Sequence, residues 1–349
     1  MKYRIFGKTN LKVSEIGYGT WQIANDPHMW VGATKEESKK SLAKYLELGG
    51  NFIDTAWVYG YSEEKPERHP SEELVGEFIK ESNNRERVVI ATKVAPANWH
   101  WPAWKTDKLS DCFPSEHIKK QVDDSLKSLQ VDFIDLVQFH VWNDSWSDEQ
   151  EWKDTIQEII KSGKVKNWGI SINDYQPSNC LKTLDTGLIS TVQFIYNVFH
   201  QKPVEKLLPY AKEHNIGLIA RVPLDEGGLS GKIDSNTTFQ EGDFRSSYFS
   251  SDRLLELEER IEELSCLLSE EIQSVSELAL RFILTHPEIS CVIPGMRKIK
   301  HVIDNTAVSD KGSLSSTLME ELKKHSWERN FYPDDAKDPN MADTNFLEI

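Results

Sequence analysis

The chain has 349 residues, 38% apolar and 28% charged, which supports a large core and excludes a disordered or fibrous polymer. Its 41 Lys and Arg against 56 Asp and Glu leave a formal charge of −15. With no long basic run, that balance argues against a nucleic-acid partner.

In chain order, residues 2–14 predict a hairpin, with Tyr3, Ile5, Leu11 and Val13 alternating on either side of Gly7-Lys8-Thr9-Asn10. Residues 16–20 lead a series of apolar runs at 51–54, 88–93, 133–140, 167–172, 191–196, 216–222 and 291–294. Helical patterns lie between them. Thr34-x-x-Glu37 opens one as a capping box, and Gly49-Gly50 closes it. Ile118, Val122, Leu126 and Leu129 form a stripe at helical spacing, and Ser274-x-x-Glu277 starts a helix running to about His286. Eight strands alternating with helices predict an α/β fold, a (β/α)₈ TIM barrel with an N-terminal β-hairpin and a C-terminal extension. No linker divides the chain, so one domain is expected over 1–325, followed by an acidic tail over 326–349. The loop 225–251 exceeds ordinary connection length, which predicts either a functional cover or a mobile segment.

Cys112, Cys180, Cys266 and Cys291 stand far apart, without Cys-x-x-Cys or metal-ligand spacing. They are expected to be reduced thiols, and no metal site is expected. The N-terminal segment lacks a signal-peptide core, and no run approaches about 18 apolar residues, so a cytoplasmic protein without membrane contact is expected.

Chemistry in such a barrel collects at the C-terminal strand ends, where the loops converge over one mouth. Three successive apolar runs end in Asp54, Lys93 and His140, and Tyr59 lies five residues beyond Asp54 in DTAWVYG. Singly, Asp54 could cap a segment, Lys93 could reach solvent and His140 could sit in the core. Adjacent strand ends would instead bring all four around one point. A tyrosine is a weak acid, with a pKa near 10. A neighbouring Lys93 ammonium would lower it, Asp54 would hold Lys93, and His140 would bond a carbonyl oxygen. That equipment protonates an oxygen becoming an alkoxide, and its complement is a hydride donor, which no side chain supplies.

These residues resemble the aldo-keto reductase superfamily. The matching pieces include GYGTW (17–21), NFIDTAWVYG (51–60), ATK (91–93), SLKSLQVDFIDLVQFH (125–140), GKVKNWGIS (163–171), VQFIYN (192–197), PLDEGGLSGK (223–232) and VIPGMRKIKHVIDN (292–305). The resemblance implies NADP(H) bound across the barrel mouth and a catalytic tetrad of Asp54, Tyr59, Lys93 and His140. Cofactor positions fall on Gly19, Thr20, Trp21, Asp54, Ser171, Gln193, Arg221, Val222, Pro223, Leu224, Lys232, Gly295, Arg297, His301, Asp304 and Asn305. The Gln193 amide suits the nicotinamide carboxamide, and Arg297, Lys298 and Lys300 suit a 2′-phosphate. Three positions depart from the family pattern. Arg221 stands where an aromatic ring usually stacks on the nicotinamide, with Asp225 or Glu226 as a rival partner for its charge. Ser171-Ile172-Asn173 replaces a Ser-Asn pair, and Asp304-Asn305 replaces a longer acidic or amide residue before Asn.

Eleven tryptophans are a heavy load for this length, and many follow barrel strands. Trp21, Trp57, Tyr59, Trp99, His140 and Trp142 are the expected substrate contacts, with Trp30, Trp101, Trp104 and Trp146 nearby. Flat walls bearing N–H donors suit aromatic aldehydes and sugar-like carbonyls alike. The expected function is NADP(H)-dependent reduction of a small-molecule aldehyde or ketone to an alcohol, with Tyr59 as proton donor. The alternative is an NADP(H)-sensing protein resembling potassium-channel β subunits.

Overall fold

A computed structural model describes residues 1–24, 30 and 32–327; the acidic tail expected from 326 onward lies almost wholly outside them. The hairpin forms as β1 (Tyr3–Ile5) and β2 (Lys12–Ser14), antiparallel with Arg4 opposite Val13. The barrel strands are β3 (Tyr18–Gly19), β4 (Phe52–Asp54), β5 (Val89–Val94) and β6 (Ile134–Phe139), then β7 (Val165–Ser171), β8 (Thr191–Ile195), β9 (Gly217–Arg221) and β10 (Cys291–Val292). They pair in sequence order in one parallel eight-stranded sheet. Bridges from Ile16 to Val292 and from Gly19 to Gly295 join the first strand to the last. The expected (β/α)₈ architecture is therefore present. Among the described residues, no helix is long and apolar enough to cross a membrane.

Local chemistry explains the helix ends. Thr34 Oγ1 accepts the Glu37 N–H at the start of helix Lys35–Glu47, and Ser274 Oγ accepts the Glu277 N–H at the start of Val275–Leu284. The latter helix stops before His286, because Pro287 disfavours helical geometry in the residue preceding it. The long loop expected over 225–251 is a cover. It holds a 3₁₀ segment, Asp225–Ser230, and a short helix, Arg245–Tyr248, and it lays Phe239, Phe244 and Tyr248 along the barrel mouth.

The period-two alternation of the strands divides the core in two. Ile53, Ile90, Val137 and Leu218 join the large cluster shared with the helices. Phe52, Val89, Ala91, Leu136 and Ile219, one residue out of phase, form a separate inner cluster with Phe6. The hairpin closes the lower end, where the Phe6 ring meets Phe52 edge-on at 5.5 Å. Gly7 permits this approach: its φ is +51°, and a Cβ there would lie 2.1 Å from the Gly217 nitrogen. Continuing the same inward rows upward places polar residues, Asp54, Lys93 and Gln138, above the apolar plug.

Outside the barrel, helix Pro70–Ser82 buries Glu72 completely against β5, where Thr92 Oγ1 donates to Glu72 Oε1 at 2.5 Å. Burial pushes this carboxyl up to about 7, against the opposing hydrogen bonds from Thr92 and Ser125. A carboxyl raised in the folded state stabilises fully below its ordinary value of 4.5, and that contribution is lost as pH rises through about 7. Glu72→Gln should therefore be more stable than the parent at pH 8, by up to about 3 kcal/mol. The margin should shrink at pH 5. Urea unfolding at the two pH values checks this, and an equal difference at both would contradict it.

Candidate active site

The three strand-end residues and Tyr59, in the turn after β4, converge. The Lys93 side chain is fully buried, and its Nζ donates to Asp54 Oδ2 at 2.6 Å, to the Thr55 carbonyl at 2.8 Å and to Tyr59 Oη at 3.4 Å. The opposite oxygen, Asp54 Oδ1, accepts from Gln193 Nε2 at 2.8 Å and from Gln138 Nε2 at 3.5 Å. Tyr59 stacks on Trp21, centroids 5.9 Å apart, and meets the edge of the His140 ring at 5.7 Å. Trp101 stands edge-on to His140 at 4.7 Å.

The electrostatics differ from expectation in one respect. Burial pushes the Tyr59 phenol up; the Lys93 ammonium pulls it down, but burial together with the Asp54 carboxylate prevails. The pull of Lys93 is real but is outweighed, so the resting phenol lies above its ordinary range. Burial would lower Lys93 too, yet Asp54 and Tyr59 outweigh it and hold the ammonium above its ordinary range. Burial, then the cations Lys93 and Arg221, depress His140 well below the usual imidazole value, so the ring is neutral at neutral pH. Its buried Nδ1 has no hydrogen-bond partner among the described residues. The cluster thus holds a protonated phenol, a neutral imidazole and a cation behind the phenol, which is equipment for giving a proton to an oxygen.

Asp54, Tyr59 and His140 line one cavity of about 1260 Å³, with Lys93 beneath it. Every residue expected at the cofactor lines the same cavity: Gly19, Thr20, Trp21, Ser171, Gln193, Arg221 to Leu224, Lys232, Gly295, Arg297, His301, Asp304 and Asn305. Around His301, Lys232, Lys298 and Arg297 add to burial in disfavouring the protonated ring. This concentration of cations beside Ser274, Ser276 and Asn305 is a donor set suited to phosphate groups, so the residues fit a phosphate-bearing nucleotide. Lys300 is less committed to a ligand, since its Nζ pairs with Asp304 at 2.7 Å on an exposed face.

Several expected contacts are placed otherwise. Arg221 lines the cavity, but its Nη2 donates to the Ile172 carbonyl at 2.8 Å and to Asp174 at 2.7 Å, so the partner comes from the loop after β7. Asp225, offered as a rival partner, accepts from the Tyr248 hydroxyl at 2.6 Å. One N–H of Gln193 is taken by Asp54, as above. Trp142 does not reach the mouth: it is fully buried against Phe139, Trp146 and Trp152, and its Nε1 donates to Thr183 Oγ1 at 2.8 Å. Trp57 also lies behind the wall, between Tyr61 and His69. One position further along, Val58 lines the cavity instead. Trp21 and Trp99 do line it, joined by residues outside the expected set: Tyr61, Trp101 and Phe244. Phe244 meets Trp21 at 5.3 Å. Nothing in the sequence around Phe244 marks it, because the cover loop that carries it has no periodic pattern.

The depression of His140 can be checked directly. Lys93→Met removes one of the two repelling cations, so an NMR titration of the His140 ring should move to higher pH in the variant. An unchanged titration would show that Lys93 has no part in setting it.

Comparison with known proteins gives the family of the chain. Residues 15–326 match the aldo/keto reductase family. The aldo-keto reductase YhdN of Bacillus subtilis is 32% identical over 301 residues, covering 85% of this chain and 86% of the relative. The aldo-keto reductase yakc (NADP(+)) of Schizosaccharomyces pombe is 24% identical over 321 residues, covering 90% and 89%. Among solved structures, the glycerol dehydrogenase AKR11B4 of Gluconobacter oxydans superposes with a TM-score of 0.73 at 26% identity, over 94% of this chain and 97% of that one. Because the match runs from the first barrel strand to the end of the described chain, and the strand-end cluster lies within it, the chain belongs to the aldo/keto reductase family.

Proposed function

We propose that this chain reduces aldehydes and ketones with NADPH, and that its preferred substrates are aromatic aldehydes. The observation that carries the reading is the Lys93–Asp54–Tyr59 cluster, set on the floor of a cavity with aromatic walls near Tyr59 and cations around Arg297. Bound NADPH would supply the hydride. Arg297 and Lys232 would hold its phosphates; yakc, named with NADP(+), supports that cofactor.

The chain's own residues handle the proton. Tyr59 Oη keeps its proton at neutral pH and gives it to the carbonyl oxygen as that oxygen gains charge. Lys93 Nζ, held by Asp54, stabilises the phenolate left behind. Neutral His140 beside the Tyr59 ring orients the carbonyl without competing for the proton. Trp21, Trp101 and Phe244 bring flat rings to the cavity wall, which suits an aromatic aldehyde.

Tyr59→Phe removes the acid and little else. Carbonyl reduction, followed by NADPH absorbance, should fall by about 10²–10⁴-fold or more, with NADPH binding nearly unchanged. A variant retaining half the parent rate would remove Tyr59 as proton donor. Arg297→Ala removes charge-assisted bonds worth about 1.5–3 kcal/mol each, so NADPH should bind roughly ten-fold or more weakly while NADH hardly changes. Equal losses in fluorescence titrations of the two cofactors would mean that Arg297 does not read the 2′-phosphate.

A further inference from the structure

The loop after β7 departs from the family pattern at Ser171-Ile172-Asn173, and the structure shows how the displaced asparagine is used. Asn173 is buried, and its Oδ1 accepts from the Ala103 N–H at 3.2 Å and the Trp142 N–H at 3.4 Å. Its Nδ2 donates to the Ala103 carbonyl at 3.0 Å and to Gln176 Oε1 at 3.2 Å. An asparagine amide has two lone pairs and two N–H bonds. All four are engaged within the fold, so none is left for a carboxamide across the cavity.

The segment so gripped matters. Ala103 follows Trp101-Pro102 in an irregular stretch between β5 and the short helix Leu109–Cys112. Among the described residues, the backbone hydrogen bonds of 101–103 go to Asn173 alone, which holds both the N–H and the carbonyl of Ala103. Two residues earlier, Trp101 stands against His140. The neighbouring Ile172 and Asp174 hold Arg221 of β9, so this one loop ties together the walls that follow β5 and β6 and the end of β9.

We infer that Asn173 is a positioning residue for the substrate side of the site: it sets Trp101 against His140 and so fixes the aromatic wall on which a substrate ring rests, while making no cofactor contact. The inference rests on the reductase reading above. If Asn173 is lost, the 101–103 segment loses its polar anchor, and the wall for a ring loosens more than the seat for the carbonyl.

The experiment compares the parent, Asn173→Ala and the size-conserving Asn173→Asp, which keeps the acceptors but loses both donors. Steady-state constants are measured for benzaldehyde and propanal, with NADPH affinity by fluorescence, benzaldehyde affinity by quenching of tryptophan emission, and melting temperature. Asn173→Ala should raise KM for benzaldehyde at least ten-fold and weaken its equilibrium binding in parallel. KM for propanal should change less than three-fold and NADPH affinity less than two-fold. Asn173→Asp should show the same split to a smaller degree, and it carries the test if the alanine variant does not fold. A ten-fold loss of NADPH affinity would overturn the inference in favour of a cofactor contact. Equal changes for the two aldehydes would overturn it in favour of a merely structural role, and no change for either would overturn it outright. A parent enzyme that binds NADPH but turns over neither aldehyde would instead sink the reductase reading.

Discussion

The centre of this protein is one buried ion pair. Lys93 Nζ and Asp54 Oδ2 lie 2.6 Å apart, with side chains 0% and 2% exposed. Desolvating two charges costs several kcal/mol each unless the remaining hydrogen-bonding positions are also filled. The barrel fills them. The Thr55 carbonyl takes a second proton of Lys93, and Gln193 from β8 and Gln138 from β6 donate to the free oxygen of Asp54. Four strands thus share in holding the pair. The arrangement works only if the sheet closes in register, so barrel closure and site geometry are one constraint.

Tyr59 inherits its behaviour from that pair. An unpaired buried ammonium would draw the phenol down strongly; one already neutralised by Asp54 leaves burial in control, and the resting tyrosine stays protonated. The benefit of Lys93 arises when charge develops on the tyrosine oxygen, which is where catalysis gains from stabilisation. The same electrostatics, together with burial, keep His140 neutral. The Lys93 ammonium thus bears on two further groups whose protonation burial chiefly sets.

Above this floor, the walls come from loops rather than strands. The cover segment supplies Phe244, the stretch after β5 supplies Trp99 and Trp101, and the loop after β7 ties the sides together through Asn173 and Asp174. Strands hold Asp54 and Lys93, and the turns that leave β4 and β6 carry Tyr59 and His140, whereas loops pinned by side-chain amides and carboxylates shape what can approach them.

Much of this was legible in the residues alone. Period-two strands, capping boxes and the succession of eight units specify the barrel, because those patterns reflect local backbone preference and burial. Asp54, Lys93 and His140 could be placed together because successive strands of such a barrel are neighbours. Other features depend on which distant residues meet. Gln193 reaches Asp54 across 139 residues of chain, and Asn173 reaches Ala103 across 70. No local pattern encodes either pairing. Trp57 and Trp142 carry the same side chain and follow the same kind of strand end as Trp21 and Trp99. Whether an indole faces the mouth or packs behind the wall is decided by loop direction and by the neighbours that loop meets. Arg221 shows the same division: its position beside the cavity follows from β9, but its partner in another loop is set by tertiary contact. Sequence determined the scaffold and the reacting groups, since both follow from short-range periodicity and strand order. Tertiary structure alone decided the walls and the partners, since those depend on contacts between loops far apart in the chain.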